Sequence, residues 1–251
     1  MDSVWRNIIP PFQEIFQFPD NKSLFNKLLE TGNPAKEDQY IYSISIVNFY
    51  ACHDNERALY LFNQIRLFDE EAVQRLKIAA VWLMTTVGIP QIWMGEEWGE
   101  DKVSGKDRFC RKVFDFHMDI LGDEDRTKKV NKIDWSARAK PSQQFLSNLY
   151  GQLIAFRKSS SAIKSDNVHF IHHDSDEHIT AYHRWSNESD DSVVVIFNFS
   201  TQDKHDYWIT DWPKNGRWQE VITGQMEKQI DNNKLQVNLP SYEYKIFVFK
   251  E

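Results

Sequence analysis

The 251-residue chain is predicted to be an α/β segment followed by an all-β domain, and three observations predict it. A β-branched run, Ile44–Tyr50, is followed by a helix-periodic stretch from Asp69 and a second short apolar run, Gln91–Gly95. Strand, helix and strand in that order mean parallel pairing. Short alternating runs separated by turn residues then fill the chain after residue 160, the texture of an antiparallel sandwich. Between the two textures, residues 99–140 are polar and unpatterned, and so long a loop in a compact domain is usually functional.

The elements follow in order. Trp5, Ile8, Phe12 and Phe16 have helical spacing but are interrupted by Pro10-Pro11, so a broken helix is expected there. A second helix follows Asp20-Asn21, with Leu24, Phe25, Leu28 and Leu29 on its apolar side and Thr31-Gly32-Asn33-Pro34 at its end. The strand Ile44–Tyr50 runs directly into Cys52-His53-Asp54. The helix from Asp69 carries Glu70 and Glu71 in its first turn, where negative charge suits the dipole. Val73, Leu76, Ala80 and Leu83 mark its buried stripe, and Gly88-Ile89-Pro90 stops it. A further helix is predicted over Ser142–Lys158, with Pro141 beside its start and Arg157-Lys158 at its end. Its apolar face is Phe145, Leu149, Leu153 and Phe156.

After Ser159-Ser160-Ser161 the expected strands are Val168–His172, His178–Trp185, Val193–Phe199, Tyr207–Ile209, Trp218–Ile222, Lys234–Leu239 and Tyr244–Phe249. Asn187–Asp190, Asn215-Gly216 and Asp231–Asn233 punctuate them. The domains are accordingly drawn at residues 1–159 and 160–251.

Composition narrows the function. A formal charge of −7 argues against a nucleic-acid partner, since phosphate binding wants a basic face. No apolar run approaches a membrane span, so no membrane partner is expected. Cys52 and Cys110 are too few for a disulfide framework, and no leader is visible at Met1–Arg6, which together favour a cytoplasmic location. Aromatics reach 14%, which fits both carbohydrate stacking and a β-rich core. There is no phosphate-binding glycine loop and no cysteine pair at zinc spacing, and no cofactor is expected. His169, His172, His173, His178 and His183 crowd one apparent hairpin, which favours a solvated hairpin over a metal site. Trp208, Trp212 and Trp218 can form a sugar platform, with core packing the better expectation for at least two of them.

The informative residues stand at the strand ends. Val47-Asn48-Phe49-Tyr50-Ala51-Cys52-His53-Asp54 resembles the segment after the seventh barrel strand of glycoside hydrolase family 13, the α-amylase family. Gly88-Ile89-Pro90-Gln91-Ile92-Trp93-Met94-Gly95-Glu96-Glu97 is similar to that family's eighth-strand segment. Cys52 departs from the asparagine usual at its position. The resemblance implies the last two strands of a (β/α)8 barrel with their helices, followed by an amylase-type C-terminal β-sandwich. It further implies that Asp54 is a transition-state-stabilising carboxylate, that His53 hydrogen-bonds the same sugar, and that Glu97 supports the barrel mouth.

By the same resemblance the substrate is an α-1,4-linked glucan, processed with retention by hydrolysis or transfer. Retaining glycosidases need a nucleophile and an acid/base carboxylate about 5–5.5 Å apart. In this family those follow the fourth and fifth strands, so this chain is expected to be catalytically incomplete. The alternative is a non-catalytic glucan-binding or partner-complementing protein. A two-strand barrel piece leaves strand edges open, so it is expected to seek a missing barrel half or itself. Residues 1–140 expressed alone should therefore bind an apolar dye or self-associate; a sharply melting monomer without dye binding would contradict this.

Overall fold

The computed structural model describes residues 4–32, 46–52, 57–100, 133, 135–222 and 230–250. Strand β1, Val4–Asn7, leads into helix α1, Ile9–Gln17, and helix α2, Lys22–Gly32. Strand β2, Ile46–Phe49, is followed by α3, Ala58–Gln64, then α4, Asp69–Thr85, and strand β3, Ile89–Gln91. A 3₁₀ turn at Glu96–Trp98 and another at Ala137–Ala139 precede α5, Pro141–Ser159, and the short α6, Ser161–Lys164. The β-domain holds β4 Val168–Asp174, β5 Ile179–Trp185, β6 Ser192–Asn198, β7 Lys204–Ile209, β8 Trp218–Glu220, β9 Leu235–Leu239 and β10 Glu243–Phe249.

The fold class is that expected, a partial parallel barrel followed by antiparallel sheets, with one strand more than foreseen. β1 pairs in parallel with β2, which pairs in parallel with β3, so the described parallel sheet has three strands. The spacing of Trp5, Ile8, Phe12 and Phe16 reads as helix, yet Trp5 lies in β1. Pro10 and Pro11 begin α1 rather than break it, because the first-turn amides have no intrahelical acceptor and their loss costs little.

Helix α4 departs from the one-sided stripe. Almost every residue from Arg75 to Thr85 is buried, because α5 lies on one side and the β-domain on another. A helix covered all round carries little amphipathic signal. On α5 the buried residues are Leu146, Leu149, Tyr150 and Leu153, while Phe145 is exposed beneath the Lys77 ammonium.

The main β-sheet, ordered β4-β5-β6-β10-β8, is antiparallel, and β7 and β9 form a separate two-stranded ribbon over it. Every position of β6 is buried because both sheet faces are covered. Val193, Val195 and Phe197 face the helices, while Val194 and Ile196 face the ribbon with Ile209, Trp212, Trp218 and Val237. Period-two alternation is thus present in position but hidden in composition. Trp82 of α4 joins the two parts: its ring meets Phe12, Tyr182, Phe197 and Phe199 edge-on or tilted, and its indole N–H donates to Thr31 Oγ1 at 3.0 Å.

The end of α4 is the most constrained point of the chain. Its last turn has no basic residue of its own, and its carbonyls are met from outside. Arg157 of α5 donates to Met84 O at 2.9 Å and to Gly88 O at 2.5 Å. Arg184 of β5, fully buried, donates to Thr85 O at 2.5 Å and also to the carbonyls of Asn167, Ile163 and Ser165. Thr85 Oγ1 donates to Val81 O at 2.5 Å, so the Tyr182 hydroxyl supplies the proton of its own 2.5 Å contact with Thr85. Burial lowers both guanidinium pKa values to about 10, which leaves both charged at neutral pH beside the negative end of the helix dipole. Replacing Arg184 with Met strips two buried and two part-buried carbonyls of a charged donor and is expected to cost about 3 kcal/mol in chemical unfolding. Arg184→Lys should recover only part of that, since a point ammonium cannot span the four acceptors. A neutral Met variant would show that the contacts are dispensable.

Candidate functional site

The site is assembled where the parallel strands end. β2 passes into Tyr50, Ala51 and Cys52, all buried, and the Tyr50 hydroxyl donates to Ala79 O at 2.7 Å. His53 and Asp54 come next and lie outside the described residues, as does Cys110. The chain resumes at Arg57, whose guanidinium donates to Met94 O, tying the segment after β2 to the one after β3.

The two sequence motifs meet directly. Asn48 is buried, accepts from Arg6 Nε at 2.9 Å and donates to Val87 O at 2.8 Å. Arg6 also donates to Thr31 O at 2.6 Å. The Asn48 amide therefore links β1, β2 and the approach to β3. Gly88 has φ +112°, and a Cβ there would stand 2.7 Å from Asn48 Nδ2 and 3.0 Å from Ile46 O. A side chain at Gly88 is excluded both by conformation and by space.

After β3 the chain folds into a compact acidic turn. Gly95 adopts φ +89°, and a Cβ there would come within 2.8 Å of Glu100 Cβ. Glu97 Oε2 accepts the Gly95 N–H at 2.9 Å, a contact within its own turn. Glu100 is buried and accepts the Trp98 indole N–H at 3.2 Å. Trp98 in turn packs against Trp135, whose ring is 65% exposed at a centroid distance of 5.0 Å.

Glu96 was not foreseen from the sequence. It is buried, and its Oε1 accepts the Tyr150 hydroxyl at 3.0 Å. Desolvation pushes its pKa up to about 8, against the lowering effect of the Tyr150 hydrogen bond. At neutral pH Glu96 is thus mostly a neutral acid. The adjoining Glu-Glu pair was the available signal, but sequence does not say which of two consecutive carboxylates turns inward. Tyr150, Arg57 and Trp135 were likewise missed, because their roles arise from long-range contacts.

The histidines of the β4–β5 region are engaged one by one rather than gathered. His172 bonds Tyr207 at 2.9 Å, His173 bonds Asn26 at 2.8 Å and stacks on Phe25, and His183 bonds Ser192 at 2.8 Å. His178 is buried and His183 half-buried, so the expectation of a solvated hairpin fails for these two. Among the described residues no group of three or more His, Cys, Asp or Glu is placed to hold a metal ion. Trp212 and Trp218 are core residues, whereas Trp208 is 52% exposed. No described helix is long and apolar enough to cross a membrane.

Glu96 makes stability pH-dependent with a definite sign. Its folded pKa of about 8 lies above the ordinary 4.5, so the folded chain keeps a proton that the unfolded chain releases. The stability it contributes is complete below the ordinary value and is lost as pH rises through about 8. Thermal melts from about pH 5 to about pH 9 should show Glu96→Gln losing less stability than the parent chain across that window. Parallel curves for the two proteins would refute a buried neutral Glu96.

Residues 170–249 match the family model of the α-amylase C-terminal all-β domain. No curated protein matches the chain in sequence. Among solved structures, the α-amylase from Geobacillus thermoleovorans complexed with acarbose superposes with a TM-score of 0.66 at 16% identity, over 96% of this chain and 47% of that one. A pullulanase from an Anoxybacillus species, complexed with maltotetraose, gives 0.68 at 13% identity, over 99% of this chain and 35% of that one. An Anoxybacillus α-amylase gives 0.64 at 15% identity, over 97% and 46%. The chain spans less than half the length of each of these structures. The chain thus carries an α-amylase-type C-terminal all-β domain over residues 170–249, and its fold as a whole is similar to part of these α-amylase and pullulanase structures.

Proposed function

We propose that the chain is the C-terminal part of a retaining enzyme acting on α-1,4-glucan, by hydrolysis or glucan transfer, and that by itself it is catalytically incomplete. One observation carries the reading: an α-amylase-type β-domain is packed on the helices of a segment whose parallel strands lead into His53-Asp54 and Gly95-Glu96-Glu97. The sugar ligands of the similar structures, acarbose and maltotetraose, support α-glucan as the substrate class. In this reading Asp54 stabilises the oxocarbenium-like transition state and His53 hydrogen-bonds the same sugar. Glu97 holds the turn that shapes the mouth, through its bond to Gly95 N–H. We draw the boundary between barrel part and β-domain between residues 159 and 160, a reading supported by the end of α5 at Ser159.

The exposure of the parallel sheet supports a reading in which further strands cover it. Trp5, Val47 and Ile89 stand in register across β1, β2 and β3, on one face of the sheet. Trp5 is 56% exposed and Ile89 49%. Parallel sheets are normally covered on both faces. We take this row as the surface on which the remaining barrel strands close, supplied by the same polypeptide or by a partner chain. That favours the partner-complementing alternative over a purely sugar-binding module.

An antibody against this chain, used on its source cells, distinguishes the two suppliers. A band well above 29.8 kDa means that the same polypeptide carries the rest of the barrel. A band at 29.8 kDa that co-purifies with a second barrel fragment supports complementation. The purified chain alone should not hydrolyse maltooligosaccharides, whereas the completed barrel should, with net retention at the anomeric carbon. In that completed enzyme Asp54→Asn should lower kcat by at least about a hundredfold with little change in KM. Retained activity in the variant, or inversion of configuration, would refute the assignment.

A further inference from the structure

The β-domain presents a second surface with sugar-binding chemistry, on a ribbon separate from the parallel sheet. On the β7–β9 ribbon, Ile209, Leu235, Val237 and Leu239 face inward and are buried. The opposite face carries Trp208, directly across from Gln236 in the ladder, and Asn238 two residues further along β9. Trp208 is 52% exposed, whereas the nearby Trp212 and Trp218 are wholly buried. A half-open indole on a strand face leaves much of its apolar area against water.

The polar neighbours are fixed in place. Asn238 Oδ1 accepts the Asp206 N–H at 2.8 Å, and Gln236 Nε2 donates to Asp206 O at 3.4 Å. Asp206 sits at the ribbon's register shift with φ +51°, a conformation that brings its backbone toward both amides. The outer face thus carries one exposed aromatic ring and two exposed amides, with the exposed Asp206 at the adjoining bend. A pyranose needs this combination: an apolar C–H face to lie on the ring, and donors and acceptors at the rim for its hydroxyls. A purely apolar ligand does not match it, because the two amides would be left without partners.

We propose that the outer face of the β7–β9 ribbon is an auxiliary α-glucan-binding site, with Trp208 as the stacking platform and Gln236, Asn238 and Asp206 as hydroxyl partners. It rests on the α-glucan reading given above, and it requires neither the missing carboxylates nor a completed barrel. Its effect is to hold a polymeric substrate near the enzyme without cleaving it.

The test is affinity gel electrophoresis of the full chain in soluble starch and in glycogen, backed by quenching of tryptophan fluorescence with β-cyclodextrin. The parent chain should be retarded, Trp208→Ala should bind about tenfold more weakly, and Trp208→Phe should fall between them. Gln236→Ala should weaken binding by a smaller factor. Because Trp208 is exposed, circular dichroism and melting of Trp208→Ala should match the parent, which excludes misfolding as the cause. Asp54→Asn should be retarded like the parent. If Trp208→Ala is retarded as strongly as the parent while Asp54→Asn is released, glucan binding is real but the ribbon site is wrong. If no α-glucan retards the parent chain, the ribbon site is also wrong, and the catalytic reading is then judged by hydrolysis in the completed barrel.

Discussion

The buried C-terminus of α4 is the constraint around which the rest is arranged. A helix end presents carbonyls that have no intrahelical donor, and burying them unpaired costs several kcal/mol. Here the carbonyls of Met84, Thr85, Val87 and Gly88 are met by Arg157, Arg184 and Asn48, from α5, β5 and β2. Each donor belongs to a different layer. The helix therefore ends correctly only when the parallel sheet, α5 and the β-domain are all in place. Arg184 further binds Ile163, Ser165 and Asn167 on the connection into the β-domain, so one guanidinium spans the junction. Among the described residues its hydrogen-bond acceptors are carbonyls and not carboxylates. Four carbonyl dipoles disperse its charge instead, and this keeps a fully buried arginine protonated despite a lowered pKa.

This junction also explains why the two motifs sit where they do. Asn48 lies in the middle of β2, not at its end, and its amide is spent on Arg6 and Val87 O. It is a structural residue that sets the mutual height of three strands. Gly88 must be small because that amide comes so close. Together they hold the ends of β2 and β3 side by side, next to the acidic turn that follows β3. The chemistry expected there depends on a scaffold whose own specificity is a single amide packed against a glycine.

Much of the architecture was legible because it is encoded locally. Ile44–Tyr50 and Val193–Phe199 are β-branched or aromatic in almost every position, and each yields a strand. The Ser142–Lys158 expectation differs from α5 by a residue at each end, since proline at the start and basic residues at the end are local signals. The β1 strand was not legible. Four residues leading into a proline pair resemble a helix start, and only pairing with β2 makes them a strand. Phe145 was misassigned to the core because helical spacing alone cannot tell adjacent faces apart when neighbours on both sides are unknown.

By itself the sequence determined the order of the elements, the antiparallel texture of the second half and the two strand-end motifs that point to the α-amylase family. These rest on side-chain shape, backbone preference and spacing, which act over a few residues. Only the tertiary structure decided that Glu96 rather than Glu97 is the buried acid, that Trp208 rather than Trp212 or Trp218 faces solvent, and that Arg184 closes α4. Those outcomes depend on which groups lose water and which distant carbonyls come within reach. Desolvation and long-range hydrogen bonding are properties of the assembled chain, and no local pattern carries them.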